Sequence, residues 1–210
     1  MEFLFSALIG YLIGSFPSAY IFLKKIKGID VTKEGSGNVG AMNSFEITRS
    51  RSIGIMVMIV DGLKGLLSVY LCLLFFPVQF GFPAIALFFA VFSHCYNPWL
   101  NFKGGRGLAT AAGGAALLFP FALFAWLLLW GIIYFTRKDI LVANIWAIIG
   151  SLVIILSSIN IAIKYSFPRA STLSELALFS IALLIIIFVR HIEPLKEIIQ
   201  NKKFFRKVRR

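Results

Sequence analysis

Residues 108–135 read LATAAGGAALLFPFALFAWLLLWGIIYF, an uncharged apolar block with Pro120 near its middle. How this block meets a bilayer decides the topology of the whole chain. Read as one span, it leaves the following Thr136-Arg137-Lys138-Asp139 and then the basic C-terminus outside, against the rule that Lys and Arg collect on the cytoplasmic side. A proline in a helix interior removes a backbone donor and clashes with the preceding turn. The block is therefore expected to fold as a hairpin of two helices, Leu108–Phe119 and Phe121–Phe135. At about 1.5 Å per residue each is too short to span, so the hairpin should be shallow, tilted or shielded by neighbours.

The remaining chain places that hairpin in a membrane protein. Of the 210 residues, 59% are hydrophobic and only 14% charged, with several apolar runs near bilayer length. Their continuous Leu/Ile/Phe/Ala character lacks the alternation of a barrel strand, so the expected class is all-α. Spans are expected over Phe3–Leu23, Ile53–Phe76, Ala84–Leu100, the hairpin pair, Ile140–Ile161 and Leu173–Val189, seven helices in all. Lys24, Lys25 and Lys27 after the first span put the N-terminus outside and the Lys24–Ser52 loop inside. Glu2 in place of a basic leader makes the first span a retained helix, not a removed signal.

A net charge of +12 raises nucleic acid as a partner, but the cations flank apolar segments, and Lys202–Arg210 ("KKFFRKVRR") follows a span closely. Anchoring against anionic lipid accounts for them without nucleic acid. Cys72 and Cys95 fall in apolar spans and read as buried thiols, with no disulfide or metal site implied. No internal repeat supports an inverted-repeat transporter.

On this topology the unusual polar segments converge on the cytoplasmic face. The first is Gly35–Asn43, "GSGNVGAMN". Gly35, Gly37 and Gly40 permit backbone shapes closed to other residues, and Ser36, Asn38 and Asn43 add side-chain donors, a composition suited to cradling an anion. A flexible turn is the alternative. No Gly-Lys-Ser/Thr follows and no strand precedes, so neither the Walker A nor the dinucleotide pattern applies. The second is "HCYNPWLNFKGGRG", with His94, Asn97, Lys103, Gly104, Gly105 and Arg106, where two cations flank paired glycines. Its cations also fit interfacial anchoring, and His94 also fits a packed helix-terminal histidine. The third is Asp61 with Lys64, one turn apart inside a span, either an ion pair or a substrate contact. The fourth is "RHIEP", where Arg190 reads as a flanking anchor and His191 as a site candidate.

In order and spacing, "GSGNVGAMN", "DGLKG", "FKGGRGLAT" and the terminal Arg-His-x-Glu resemble the bacterial integral-membrane glycerol-3-phosphate acyltransferases that use acyl phosphate as donor. The resemblance covers nearly the whole chain and implies one acyltransferase domain, residues 1–210, in the inner membrane. It implies transfer of a fatty acyl group to the 1-position of glycerol 3-phosphate, giving lysophosphatidic acid and phosphate for phospholipid biosynthesis. An acyl-phosphate-synthesising enzyme would be its functional neighbour, and neither cofactor nor metal is expected. Carried across, Ser36, Lys103, Arg106 and His191 are the catalytic candidates. Gly35, Gly37, Asn38, Gly40, Asn43, Gly104 and Gly105 would bind substrate phosphate, with Asp61, Lys64, His94 and Asn97 in support.

The chain departs from the family pattern at four positions. Met42 stands where the family has Thr, Glu46 where it has a phosphate-binding Arg, Arg106 where it has a second Lys, and Pro194 where it has Asn. Arg49, one helical turn beyond Glu46, is expected to supply the missing guanidinium to phosphate. Two other readings stay open: another phosphorylated acceptor, and a non-catalytic paralogue that binds lipid or anions.

Overall fold

The computed structural model describes the backbone of residues 1–208 and the side chains of residues 1–196. The side chains of the basic run at 202–210 lie outside the described residues. Ten α-helices follow one another: α1 (Glu2–Gly14), α2 (Ser18–Lys27), α3 (Ala41–Thr48), α4 (Arg51–Phe75), α5 (Gly81–Cys95), α6 (Leu108–Leu118), α7 (Pro120–Arg137), α8 (Ile140–Ser157), α9 (Ile159–Ala162) and α10 (Leu173–Val208). No strand occurs among the described residues. Among the described residues, five stretches, against the seven expected, are long and apolar enough to cross a membrane: Glu2–Lys27, α4, α7, α8 and Leu173–Lys196.

The hairpin forms at the expected place. Pro120 opens α7 at a position where its missing N–H costs nothing, and Phe119 is the corner. The two arms differ more than the sequence indicates. The α6 arm has 11 residues, about 16 Å, whereas α7 runs for 18 residues, about 27 Å, to Arg137. The expectation of two short arms therefore holds only for α6. Its corner is tied to the connection between α9 and α10: Phe167 N–H donates to Leu118 O (2.8 Å), and Phe121 stacks on Tyr165. Leu118 and Phe119 are buried there in the main apolar core with Ala162, Ile163 and Ala170.

Short α6 is shielded by close backbone packing on α4. A Cβ on Gly65 would overlap the Thr110 carbonyl, and one on Gly113 would overlap the Gly62 carbonyl. The same device joins α1 to α5, where Gly10 and Gly14 lie against the backbone of Ala86 and Ala90. Small residues four apart let apolar helices approach closely enough for dispersion forces to hold them where lipid offers no hydrophobic drive.

Three other expectations change. The first span is broken: α1 stops at Gly14 and α2 starts at Ser18, because Pro17 cannot donate to the helical ladder. The polar loop holds an additional helix, α3, which ends at Arg49 in a left-handed conformation (φ 54°). The last helix passes Val189 and continues through Pro194. Ser50 and Asp139 start α4 and α8 by accepting backbone N–H bonds, as N-cap residues do.

If backbone contact holds α6 in place, Gly65→Leu should lower the stability of the detergent-purified protein by about 1–3 kcal/mol, read from thermal unfolding. Gly131 on α7 has open space around it. Gly131→Ala should leave stability unchanged or raise it by up to about 1 kcal/mol. Equal unfolding temperatures for both variants would contradict the packing argument.

Candidate active site

The break in the first span exposes backbone groups that α1 and α2 no longer satisfy, and buried polar side chains take them up. Lys64 Nζ donates to Phe16 O (2.9 Å) and Asn97 Nδ2 to Ser15 O (2.7 Å); the exposed Trp99 adds a side-chain tie, its Nε1 donating to Ser15 Oγ (3.0 Å). Ser18 Oγ donates to Asp61 Oδ1, which also faces Lys64 Nζ at 2.7 Å. Asp61 and Lys64 are 1% and 6% exposed, so the pair is an internal one. His94 Nδ1 lies 3.2 Å from Lys64 Nζ. A charged ammonium has only protons to give, so Nδ1 accepts and the neutral ring carries its proton on Nε2. Of the two readings open for Asp61 and Lys64, the geometry is that of an ion pair, and Asn97 is likewise a structural tie.

His94 is also the hinge to the second glycine segment. Gly105 N–H donates to His94 O (3.0 Å), and a Cβ on Gly105 would collide with the imidazole. Gly104 sits against the carbonyls of His94 and Cys95 with no room for a side chain. Arg190 then clamps this segment from α10. Its Nε donates to Gly105 O and its Nη2 to Gly104 O, both at 3.2 Å, while the guanidinium lies 5.1 Å above the Tyr96 ring. The sequence reading of Arg190 as a flanking anchor is thus replaced by a structural role. An Arg directly before the candidate His191 was the available signal.

The first glycine segment is organised by Asn43. Its Oδ1 accepts the Ser36 N–H (3.0 Å), and its Nδ2 faces the carbonyls of Val31, Glu34 and Asn38. Asn43 is buried, its amide makes hydrogen bonds inside the loop, and it also borders the larger of the two cavities at this site. Gly35 and Gly37 adopt left-handed backbone (φ 59° and 68°), which turns the chain around Ser36. Upstream, Asp30 accepts from the Thr32 hydroxyl and N–H, and these bonds, the hydroxyl's first, hold its carboxyl below the usual range. Val39 N–H donates to Gly104 O (3.2 Å), joining the two glycine segments directly.

Two cavities meet at this joint. A polar one of about 400 Å³ is lined by Ser36, Gly37, Asn38, Lys103, Gly104 and Arg106, with Arg190, Glu193 and Pro194 of α10. A larger, mainly apolar one of about 540 Å³ extends between α4, α6 and α7. Ser36, Asn38 and Arg106 line both. Asp61, His94 and Gly40 border the apolar cavity near the joint.

Two candidates stand apart. Arg49 is exposed, lines neither cavity and serves as the left-handed C-cap of α3, because the chain reverses there instead of continuing the helix that Glu46 belongs to. This placement gives the expected compensation for Glu46 no support, and Glu46 itself borders the apolar cavity, as does Met42. His191 is fully buried and not on either cavity surface. Its Nδ1 lies 2.8 Å from Ile187 O, a carbonyl that can only accept, so Nδ1 carries a proton. Its Nε2 is buried with no hydrogen-bond partner, with Arg106 and Arg190 near enough to act on the ring electrostatically.

A family model described as Glycerol-3-phosphate acyltransferase matches residues 4–201. The glycerol-3-phosphate acyltransferase of Helicobacter acinonychis (strain Sheeba) is 34% identical over 149 residues, 68% of this chain and 66% of that protein, just under two thirds of its length. That of Ehrlichia canis (strain Jake) is 36% identical over 196 residues, 93% of this chain and 94% of that protein. The crystal structure of PlsY (YgiH), an integral membrane glycerol 3-phosphate acyltransferase, matches in its glycerol 3-phosphate form with TM-score 0.78 and 25% identity, covering 96% of this chain and 94% of that one. Its lysophosphatidic acid form matches with TM-score 0.77.

If Asn43 and the left-handed glycines shape the first segment, Asn43→Ala and Gly37→Val should each raise hydrogen exchange across residues 31–44. Protection in α4 and α8 should stay as in wild type. A buried hydrogen-bond loss of about 1–3 kcal/mol corresponds to roughly a 5- to 150-fold change in exchange rate. Unchanged exchange over 31–44 in both variants would refute this view of the loop.

Proposed function

This chain belongs to the glycerol-3-phosphate acyltransferase family, and from that premise we propose that it transfers a fatty acyl group from acyl phosphate to the 1-position of glycerol 3-phosphate, releasing lysophosphatidic acid and phosphate. It is a multi-pass integral membrane protein, as PlsY is. The observation that carries the proposal is the joint itself: a small polar cavity and a long apolar one share Ser36, Asn38 and Arg106. One phosphorylated alcohol and one acyl chain are the substrates such a pair of cavities suits.

In this reading glycerol 3-phosphate occupies the polar cavity, with Lys103 and Arg106 neutralising its phosphate. The acyl chain lies in the apolar cavity, and the donor phosphate sits at the joint against the Ser36–Asn38 backbone. The acceptor hydroxyl oxygen attacks the acyl carbonyl carbon. As that C–O ester bond forms, the bond from carbon to the phosphate oxygen breaks, and the departing phosphate takes both the electron pair and the hydroxyl proton. An acyl phosphate is already an activated anhydride, so alignment and charge stabilisation supply the acceleration and no protein base is required. His191, buried and bordering neither cavity, would hold the acceptor through Nε2 only once substrate binding exposes that atom, and Arg190 would keep the Gly104–Gly105 segment in shape.

The proposal places one domain, residues 1–210, in the bacterial inner membrane, with the joint cytoplasmic and the N-terminus outside. Lys24, Lys25 and Lys27 end α2, Arg137 ends α7 and Lys103 lines the polar cavity, a distribution of cations that supports a cytoplasmic joint. A membrane-soluble donor and a water-soluble acceptor would then arrive from opposite sides of the joint. An enzyme that makes acyl phosphate would supply the donor.

The test is an assay of purified protein with acyl phosphate, with and without glycerol 3-phosphate, reading lysophosphatidic acid and phosphate. Wild type should form both only with acceptor present. Lys103→Ala should lower kcat/KM about 10- to 150-fold, the loss of one charge-assisted phosphate contact. Arg49→Ala should stay within about twofold of wild type, since that side chain borders neither cavity. Turnover with a different phosphorylated alcohol alone would redirect the acceptor assignment, and inactivity with every acceptor would favour a non-catalytic binding protein.

A further inference from the structure

We infer that the Trp126 indole closes the far end of the apolar cavity and sets the length of acyl chain that it accepts; this rests on the assignment of that cavity to the acyl group. The lining residues locate the end. From the joint at Arg106, the α6 side continues through Leu108, Ala109 and Ala112 to Gly113, and the α7 side begins at Trp126. No residue between 113 and 126 borders the cavity, so it stops short of the hairpin corner at Pro120. On the α4 side the cavity reaches Gly62 and Gly113, where the two helix backbones meet too closely to admit a side chain.

Around that end the α6 residues are small, and the indole is the largest side chain among the lining residues, which also include Leu127 of α7 and Met58 and Ile59 of α4. A ladder along one face of α7 holds it. Trp126 stacks on Trp130 (centroids 6.2 Å apart) and Trp130 on Tyr134 (4.9 Å), while Trp130 Nε1 donates to Asn144 Oδ1 of α8 (2.8 Å). The ladder matters because α7 has only Ala125 fully buried and is otherwise weakly enclosed. Trp126 Nε1 is itself buried without a hydrogen-bond partner. Bulk and stacking therefore fix the indole, and a phenyl ring can take its place without losing a hydrogen bond.

A hydrophobic pocket discriminates chain length by what fits before its end wall, at a modest factor per methylene. The test offers purified protein an equal mixture of saturated acyl phosphates from decanoyl to eicosanoyl with glycerol 3-phosphate and resolves the products by mass. Trp126→Ala should raise the ratio of longer to shorter products at least about fivefold over wild type. Trp126→Phe should keep the wild-type profile, and Ala112→Leu should move it toward shorter chains. An active Trp126→Ala enzyme with the wild-type profile overturns the inference. If that variant does not fold, an unchanged profile in Ala112→Leu does the same. A wild type that makes no product from any donor would instead remove the acyltransferase assignment and this inference with it.

Discussion

The buried Asp61–Lys64 pair is the interaction on which the rest of the site depends. A chain break within an apolar span leaves carbonyls that lipid cannot satisfy, and a lone charge there is costly. Each problem answers the other here. Lys64 adds a second donor to the Phe16 carbonyl, which also accepts the Ser18 N–H, Asp61 neutralises Lys64, and Ser18 and His94 complete the cluster. The first span can then bend, and α2 leads away toward the Gly35–Asn43 segment.

From that cluster the order of the site follows by direct contact. His94 sits under Gly105, Arg190 holds the carbonyls of Gly104 and Gly105, and Gly104 accepts from Val39. The glycines are needed chiefly because backbones meet there; a side chain on Gly104 or Gly105 has no space. Turning those carbonyls toward Arg190 and Val39 removes acceptor oxygens that would otherwise compete with a bound anion. The tightly tied loop pair thus leaves Ser36, Asn38 and Arg106 where the two cavities join.

Much of this was legible in the chain because it rests on local signals. Pro120 within an uncharged block and the basic residues after it require a hairpin, and the hairpin is there. The glycine segments announced themselves by composition. The break at Pro17 was missed because Gly14-Ser15-Phe16-Pro17-Ser18 is a short interruption between two apolar runs, and hydropathy averaged over a span does not register a missing N–H. Helix α3 was hidden for the opposite reason, being eight residues of mixed polarity inside a polar loop. Arg49 was misplaced because helical periodicity was extended across it, whereas its left-handed backbone ends α3. Arg190 owes its role to partners distant in sequence, Trp126 to the shape of a cavity, and Asn43 to the fold of its own loop, none of which spacing alone encodes.

The central claim is that Asp61 and Lys64 act as one unit that stabilises the broken span. The direct measurement is a double-mutant cycle on Asp61→Asn and Lys64→Met, read by thermal or chemical unfolding in detergent. Each single substitution should cost about 3–5 kcal/mol by stranding its partner's buried charge, and the double variant should recover much of that loss. Additive losses, or single variants as stable as wild type, would contradict the account.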